Sequence, residues 1–339
     1  MLKTMTKTLL AGVAATALLS TVASAQTTLR IQNHQSQSSP YGVAIQKFVD
    51  DVAIMSGGDL QIEMFYSSSV VPSAETFDAA KNGILDCDMT NGSYQTGKNA
   101  AFQFVADTMG GYDTPLQYQA WVEQGGGREA INELYATHGM TFIGAHVGGQ
   151  ESLNSTSPLR GVADLKDFKF RSPPGMESDI FASLGASPIV MDFTEVITAL
   201  ESGIIDGADA STLATNLNIG VYDVAKHTTF PGFHSMSSDQ LACRTDVWEG
   251  LTDQQRRIIE VAYKNVAMDL MISTLVLNGE ALAKMPEMGV TTYDWSAEDR
   301  AAFRAAAQAA WQEWGAKSPE ATKMVQSHEA FLRRIGLVE

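Results

Sequence analysis

The chain has 339 residues, enough for two domains at about 100–200 residues each. Its 23 basic and 39 acidic residues give a formal net charge of −16, which argues against nucleic acid, since phosphate binding needs a basic patch. The two cysteines, with no CxxC, exclude a cysteine-built metal framework.

The first 25 residues read as a secretory signal peptide. Lys3 and Lys7 form a basic head, Leu9 to Val22 is apolar and uncharged, and Ala23-Ser24-Ala25 is a small-x-small cleavage site before Gln26. The apolar stretch is shorter than the roughly 20 residues a span requires. No other segment reads as long and apolar enough to span, so the expected product is a soluble periplasmic protein of charge −18, without lipid attached at the cleavage site.

Residues 28–92 alternate strand and helix. Leu29 and Ile31 alternate with polar neighbours, then Pro40 opens a helix through Phe48 and Val52 that closes at Gly57-Gly58. Leu60, Ile62 and Met64 alternate again. Pro72 opens a second helix ending at Gly83, and a strand is expected over 84–90. The same order recurs from Phe168 to Ala210, with helices through Ile180 and Val196 and strands at 189–191 and 204–210. Gly83-Ile84-Leu85-Asp86 matches Gly203-Ile204-Ile205-Asp206, each directly after a helix. Glycine there ends a helix in a left-handed conformation and the apolar pair would start a buried strand. Two related α/β lobes with largely parallel sheets follow.

Asp239–Val247 reads as an extended return to the first lobe. Helical periodicity then covers 253–283 and 296–332, with Thr252 and Ser296 as N-caps. The expected division is lobe I over 26–148 plus about 237–276, and lobe II over 149–236 plus about 277–305. Residues 306–339 form a C-terminal helical region. Export permits a disulfide, but Cys87 and Cys243 both sit in apolar strand-like runs, which favours buried free thiols.

No GxSxG, HExxH, Walker or GxGxxG motif is present, so nothing points to an enzyme. Gly125-Gly126-Gly127 precedes a helix but lacks the rest of a phosphate-binding motif. His34, His146 and His234 lie in loops or at strand ends, where a ligand could reach them. Arg171 ends a strand ahead of Ser172-Pro173-Pro174-Gly175. In open α/β sheets the carboxyl ends of strands face the ligand crevice, and a guanidinium matches a carboxylate as a planar fork.

The run Asp164-Leu165-Lys166-Asp167-Phe168-Lys169-Phe170-Arg171 resembles a segment of the extracytoplasmic receptors of TRAP transporters. Leu184-Gly185-Ala186-Ser187-Pro188 and 199–207 resemble the segments that follow it. Phe77-Asp78-Ala79-Ala80, Glu133-Leu134-Tyr135-Ala136, Tyr222-Asp223-Val224-Ala225-Lys226 and Phe230-Pro231-Gly232-Phe233 resemble the 2-oxoacid and lactate branch.

The resemblance implies a two-lobed, periplasmic-binding-protein-like receptor. It would close on a small organic anion and deliver it to an ion-driven membrane permease. It further implies that Arg171 pairs with the substrate carboxylate. In that branch a glutamine and an acidic-Trp pair hold a metal ion that bridges the substrate. Gln150 and Asp209 stand at the glutamine and acidic positions. Ala210 stands where the branch has Trp, and Ser235 where a further acidic ligand is expected.

The expected ligand contacts are therefore Arg171, Gln150, Asp209, His146, Ala210 and Asn216. No cofactor is expected; a bound cation, if present, falls to Gln150 and Asp209. Alanine at 210 leaves space for an anion bulkier than pyruvate. The C-terminus stops too soon after Arg334 for a swapped helical arm, so a monomer is expected. The alternatives are a receptor for an ATP-driven importer, a periplasmic ligand sensor, and an exported enzyme using His146 or His234.

Overall fold

The computed structural model describes residues 26–338, so the signal-peptide segment lies outside the described residues. Its elements begin with β1 (Thr27–Asn33), α1 (Pro40–Met55), β2 (Leu60–Phe65), α2 (Thr76–Lys81) and β3 (Cys87–Asn91). They continue with α3 (Phe102–Ala106), α4 (Pro115–Gln124), α5 (Gly127–Ala136) and β4 (Met140–His146).

The second run comprises β5 (Ser152–Ser155), β6 (Lys169–Ser172), α6 (Met176–Ser183), β7 (Ser187–Val190), α7 (Val196–Glu201) and β8 (Gly207–Ser211). After these come α8 (Leu213–Asn218), α9 (Val221–Val224) and β9 (His227–Thr229). The chain closes with β10 (Asp239–Arg244), α10 (Thr245–Gly250), α11 (Asp253–Lys284), β11 (Thr291–Tyr293), α12 (Ala297–Gly315) and α13 (Pro319–Arg334).

Two sheets result. One has the order β2-β1-β3-β10-β4, the other β11-β9-β5-β8-β6-β7. In the first, β1 pairs parallel with β2 and β3, while β10 inserts antiparallel between β3 and β4. The chain crosses from the first sheet to the second between β4 and β5, and returns between β9 and β10.

The repeated junction takes the same shape in both sheets. Gly83 and Gly203 have φ of +81° and +70°, as a left-handed helix end requires. The amides of Asp86 and Asp206 then donate to the carbonyls of Arg30 and Lys169. The strands start later than their hydrophobicity suggested: Ile84 and Ile204 are exposed turn residues, and only Leu85 and Ile205 are buried. The turn that hooks Asp86 and Asp206 onto the neighbouring strand consumes the first apolar residue of each pair.

Cys87 and Cys243 are joined in a disulfide, which corrects the free-thiol expectation. They stand directly opposite each other on antiparallel β3 and β10. Such pairs bring their β-carbons close enough to bridge, and burial in an apolar strand does not oppose it.

Thr252 caps α11 through a reciprocal capping box with Gln255, and Ser296 caps α12 by accepting from the amide of Asp299. The helical region after Ser296 comprises two helices, broken at Ser318-Pro319, where Ser318 caps α13.

α11 is long and apolar enough to meet the length and composition of a membrane span, contrary to the expectation that no later segment would. Its setting supplies another reason for that character. At about 1.5 Å per residue its 32 residues run about 48 Å, packing on α1 and β4 of lobe I and on α8 of lobe II. The helix is a spine shared by both lobes. α12 and α13 make a second bridge, against α6 on one side and against α3 and α5 on the other.

Candidate functional site

The carboxyl ends of the strands from both sheets converge on one cavity of about 40 Å³. One water needs roughly 10–15 Å³ on this scale, so the space is that of a few waters. Cross-lobe hydrogen bonds hold the cleft shut. The Ser73 hydroxyl donates to Asp192 (3.0 Å), the Met176 amide to the Gln103 side chain (2.7 Å), and the Gln150 amide group to the Asp113 carbonyl (2.7 Å).

Arg171, from β6, is the fixed point of the lobe II wall. It is only 3 % exposed. Its Nε donates to the Met191 carbonyl (3.2 Å) and Nη1 to the Asp209 carbonyl (2.7 Å). Phe193 packs beneath the guanidinium, 5.9 Å from its carbon to the ring centre. No carboxylate pairs with it within 4.0 Å among the described residues, and none accepts from Nη2. A buried cation held only by neutral carbonyls is an incomplete site for an anion.

Asp209 and Ala210, from β8, also line the cavity, as do Glu151, Phe193 and Ser211. Asp209 Oδ1 lies 3.0 Å from His234 Nε2. Burial alone would push the Asp209 carboxyl up, but the His234 contact, a hydrogen bond from Glu177 and the Arg171 charge hold it below its ordinary value. Glu151 and Glu177 go the other way, raised well above the usual range by burial and then by the Asp209 charge.

The Ser235 hydroxyl lies 2.6 Å from Asp107 Oδ2 and 2.8 Å from Glu151 Oε2. One hydroxyl has one proton to give, so one of the two carboxyl groups must itself be the donor. Burial pushing Asp107 up to about 7 agrees with that.

The other expected residues stand elsewhere. Gln150 is turned onto the Asp113 carbonyl and does not line the cavity. Its neighbour Glu151, just before β5, does. His146 is fully buried behind the wall, with Nδ1 2.6 Å from the Tyr263 hydroxyl. Asn216 is also fully buried and ties α8 to the end of β8 through the Ser211 carbonyl (2.7 Å).

Lobe I contributes His34, Tyr41, Asn91, Tyr94 and Asp239. Of these, only His34 carried a sequence signal, as a histidine at a strand end. Tyr41, Tyr94 and Phe193 crowd the cavity, so the space left by Ala210 is not a large void.

The profile of DctP, bacterial extracellular solute-binding protein, family 7, matches residues 31–318. The chain belongs to this family. A crystal structure of a TRAP periplasmic solute binding protein from Rhodobacter sphaeroides, in an apo open form, is 33% identical. The match covers 91% of this chain and 99% of that one, with a TM-score of 0.73. A TRAP periplasmic solute binding protein from Pseudoalteromonas atlantica, with bound sodium and pyruvate, is 24% identical. That match covers 91% and 95% of the two chains, with a TM-score of 0.81. A monocarboxylate 2-oxoacid-binding periplasmic protein of Nostoc is 26% identical over 84% of this chain and 78% of its own. The receptor is thus a periplasmic solute-binding protein of the TRAP type, two-lobed like its relatives.

Proposed function

We propose that the receptor captures a small organic carboxylate in the closed cleft, anchored on Arg171, and hands it as a monomer to an ion-driven permease without altering it. The observation that carries the reading is the buried Arg171 guanidinium, braced by two backbone carbonyls and lacking a carboxylate partner among the described residues. Bracing in advance lowers the ordering cost of binding. Pyruvate, bound by one relative, is among the smallest of such acids and suits so small a cavity.

The carboxylate cluster of Asp107, Glu151, Glu177 and Asp209 would repel an anion if fully ionised. The shared Ser235 hydroxyl requires at least one proton there, which reduces that repulsion. Glu151, Asp209 and His234 bring one donor atom each to within 4.8 Å of one another. Those atoms are already engaged by Ser235 and by each other, and Gln150 has left the set. The residues present do not form an open cation site, and the reading needs none.

Titration calorimetry with a panel of short carboxylates tests the anchor. Wild type should bind at least one saturably, Arg171→Ala none measurably, with an unchanged circular dichroism spectrum. Near-wild-type affinity in Arg171→Ala overturns the reading. Light scattering at several concentrations should give the monomer mass, and time-resolved NMR of the bound acid should show it unchanged.

A further inference from the structure

His34 follows directly on β1 and meets the cavity from lobe I. The residue is 6 % exposed. Its Nε2 lies 3.2 Å from Asp239 Oδ2, and the Gln35 amide group stands 2.9 Å from the same nitrogen; beside a protonated ring it is the amide oxygen, otherwise buried without a partner, that faces Nε2–H. Its other nitrogen, Nδ1, is buried without a hydrogen-bond partner among the described residues. A buried donor left unmade is costly, so its partner is to be sought in what fills the cavity.

Phe193 relates this ring to the anchor: its centre lies 5.5 Å from the His34 ring and 5.9 Å from the Arg171 guanidinium carbon. The two groups therefore address one small space from opposite lobes.

The titratable and charged groups around His34 come from every wall. Asp239 and His146 face it from β10 and β4, Asp88 from β3, and Asp192 and Arg171 from lobe II. Burial alone would depress the imidazole, but Asp239 and then Asp192 outweigh both burial and Arg171, so it stays protonated above its ordinary value. Asp239 in turn is pulled down to about 2 against its own burial.

We infer that His34 is the second ligand head of the cleft: its imidazolium, oriented by Asp239, donates Nδ1–H to a second electronegative group on an acid whose carboxylate sits on Arg171. The inference rests on the carboxylate reading of Arg171. It narrows the ligand class to short acids bearing an oxo, hydroxyl or second carboxylate group a few bonds from the first. A simple alkanoate fills only the Arg171 end. A two-headed acid touches both lobes at once and so favours the closed form, since a ligand shifts a two-state equilibrium only by its differential affinity.

Calorimetry with propionate, lactate and succinate, from pH 6 to 9, tests this on wild type, His34→Gln, His34→Phe and Arg171→Ala. Wild type should bind lactate or succinate more tightly than propionate. That affinity should fall as pH rises through the raised histidine value, because the neutral ring keeps its one proton on Nε2, facing Asp239, and leaves Nδ1 with none to give. His34→Gln should weaken the two-headed acid at least tenfold at pH 6, change propionate less than twofold, and abolish the pH slope. His34→Phe, which keeps the ring packing, should lose at least as much. Equal losses for propionate and the two-headed acids, a slope that persists in His34→Gln, or no wild-type preference over propionate would each overturn the inference. Undiminished binding in Arg171→Ala would instead sink the carboxylate anchor, leaving the His34 comparison to be read separately.

Discussion

The two walls of the cleft carry cations of different kinds. On lobe II, Arg171 is a guanidinium held by the Met191 and Asp209 carbonyls. On lobe I, His34 is a titratable ring whose charge depends on Asp239. Both stand at or just beyond a strand end, where an α/β sheet presents its ligands. On the readings proposed above, the difference separates an anchor from a selector: one wall offers a braced guanidinium and the other a ring whose charge depends on its neighbours.

The largest expected effect breaks the anchor. Removing one partner of a buried charged pair typically costs about 2–5 kcal/mol. Arg171→Ala should therefore abolish useful affinity, and Arg171→Lys should recover little, because an ammonium cannot reproduce a planar fork braced on two carbonyls. Calorimetry on the two variants decides it, and a Lys variant close to wild type would reduce the anchor to a point charge.

The lobes also differ in how their sheets are held. Lobe I is stapled by Cys87–Cys243 across β3 and β10, at a sequence separation of 156, and no free cysteine remains among the described residues. Closing so long a loop restricts the unfolded chain, and native disulfides typically contribute about 2–4 kcal/mol. The double substitution Cys87→Ala/Cys243→Ala should lower stability by that order in urea unfolding while leaving ligand affinity within threefold, since the bridge lies in the sheet and not in the wall. A large loss of affinity at preserved stability would place the staple in the cleft's own geometry.

Much of this comparison is legible in the sequence. The strand-helix alternation, the paired Gly83 and Gly203 junctions and the caps at Thr252 and Ser296 all come from local rules, and each stands in the structure. Arg171 was singled out by its strand end and, above all, by the family resemblance, and it lines the cavity. What was not legible depends on direction and pairing. Gln150 and Glu151 are adjacent, yet of the two only Glu151 lines the cavity. The disulfide needed the register of β3 on β10, which joins residues far apart in sequence. His146 and Asn216 have suitable chemistry, but the depth of the core places them behind the wall.

A smaller effect concerns how the walls come together. Gly175 precedes α6 with a φ of +128°, and a β-carbon there would stand 2.2 Å from Gln103 Oε1 on the other lobe. That oxygen is pinned by the Met176 amide, and the Gln103 amide donates to the Asp107 carbonyl. Backbone strain of this kind costs about 1–3 kcal/mol. Gly175→Ala should lower the melting temperature and weaken every ligand alike, because it acts on closure and not on either cation. A selective loss for one class of acid would show that the segment contacts ligand.

The smallest expected effect comes from removing metal ions. Lobe II holds the acidic groups that a bridging cation would use, yet they are committed within the protein. Gln150 donates to Asp113, Asp209 is met by His234, and Ser235 stands where an acidic ligand was expected. Calcium takes 6–8 oxygen ligands, and the cluster of Glu151, Asp209 and His234 offers two carboxylates and one ring nitrogen. That nitrogen faces Asp209 as a hydrogen-bond partner, so its lone pair is not presented to an ion. Affinity for the best short acid should therefore change less than threefold after exhaustive chelation and dialysis into sodium-free potassium buffer. A loss of tenfold or more that calcium or sodium restores would show that the cluster reopens around an ion. The charge on lobe II would then be shared between Arg171 and a metal, and the contrast between the two walls would be one of charge number as well as kind.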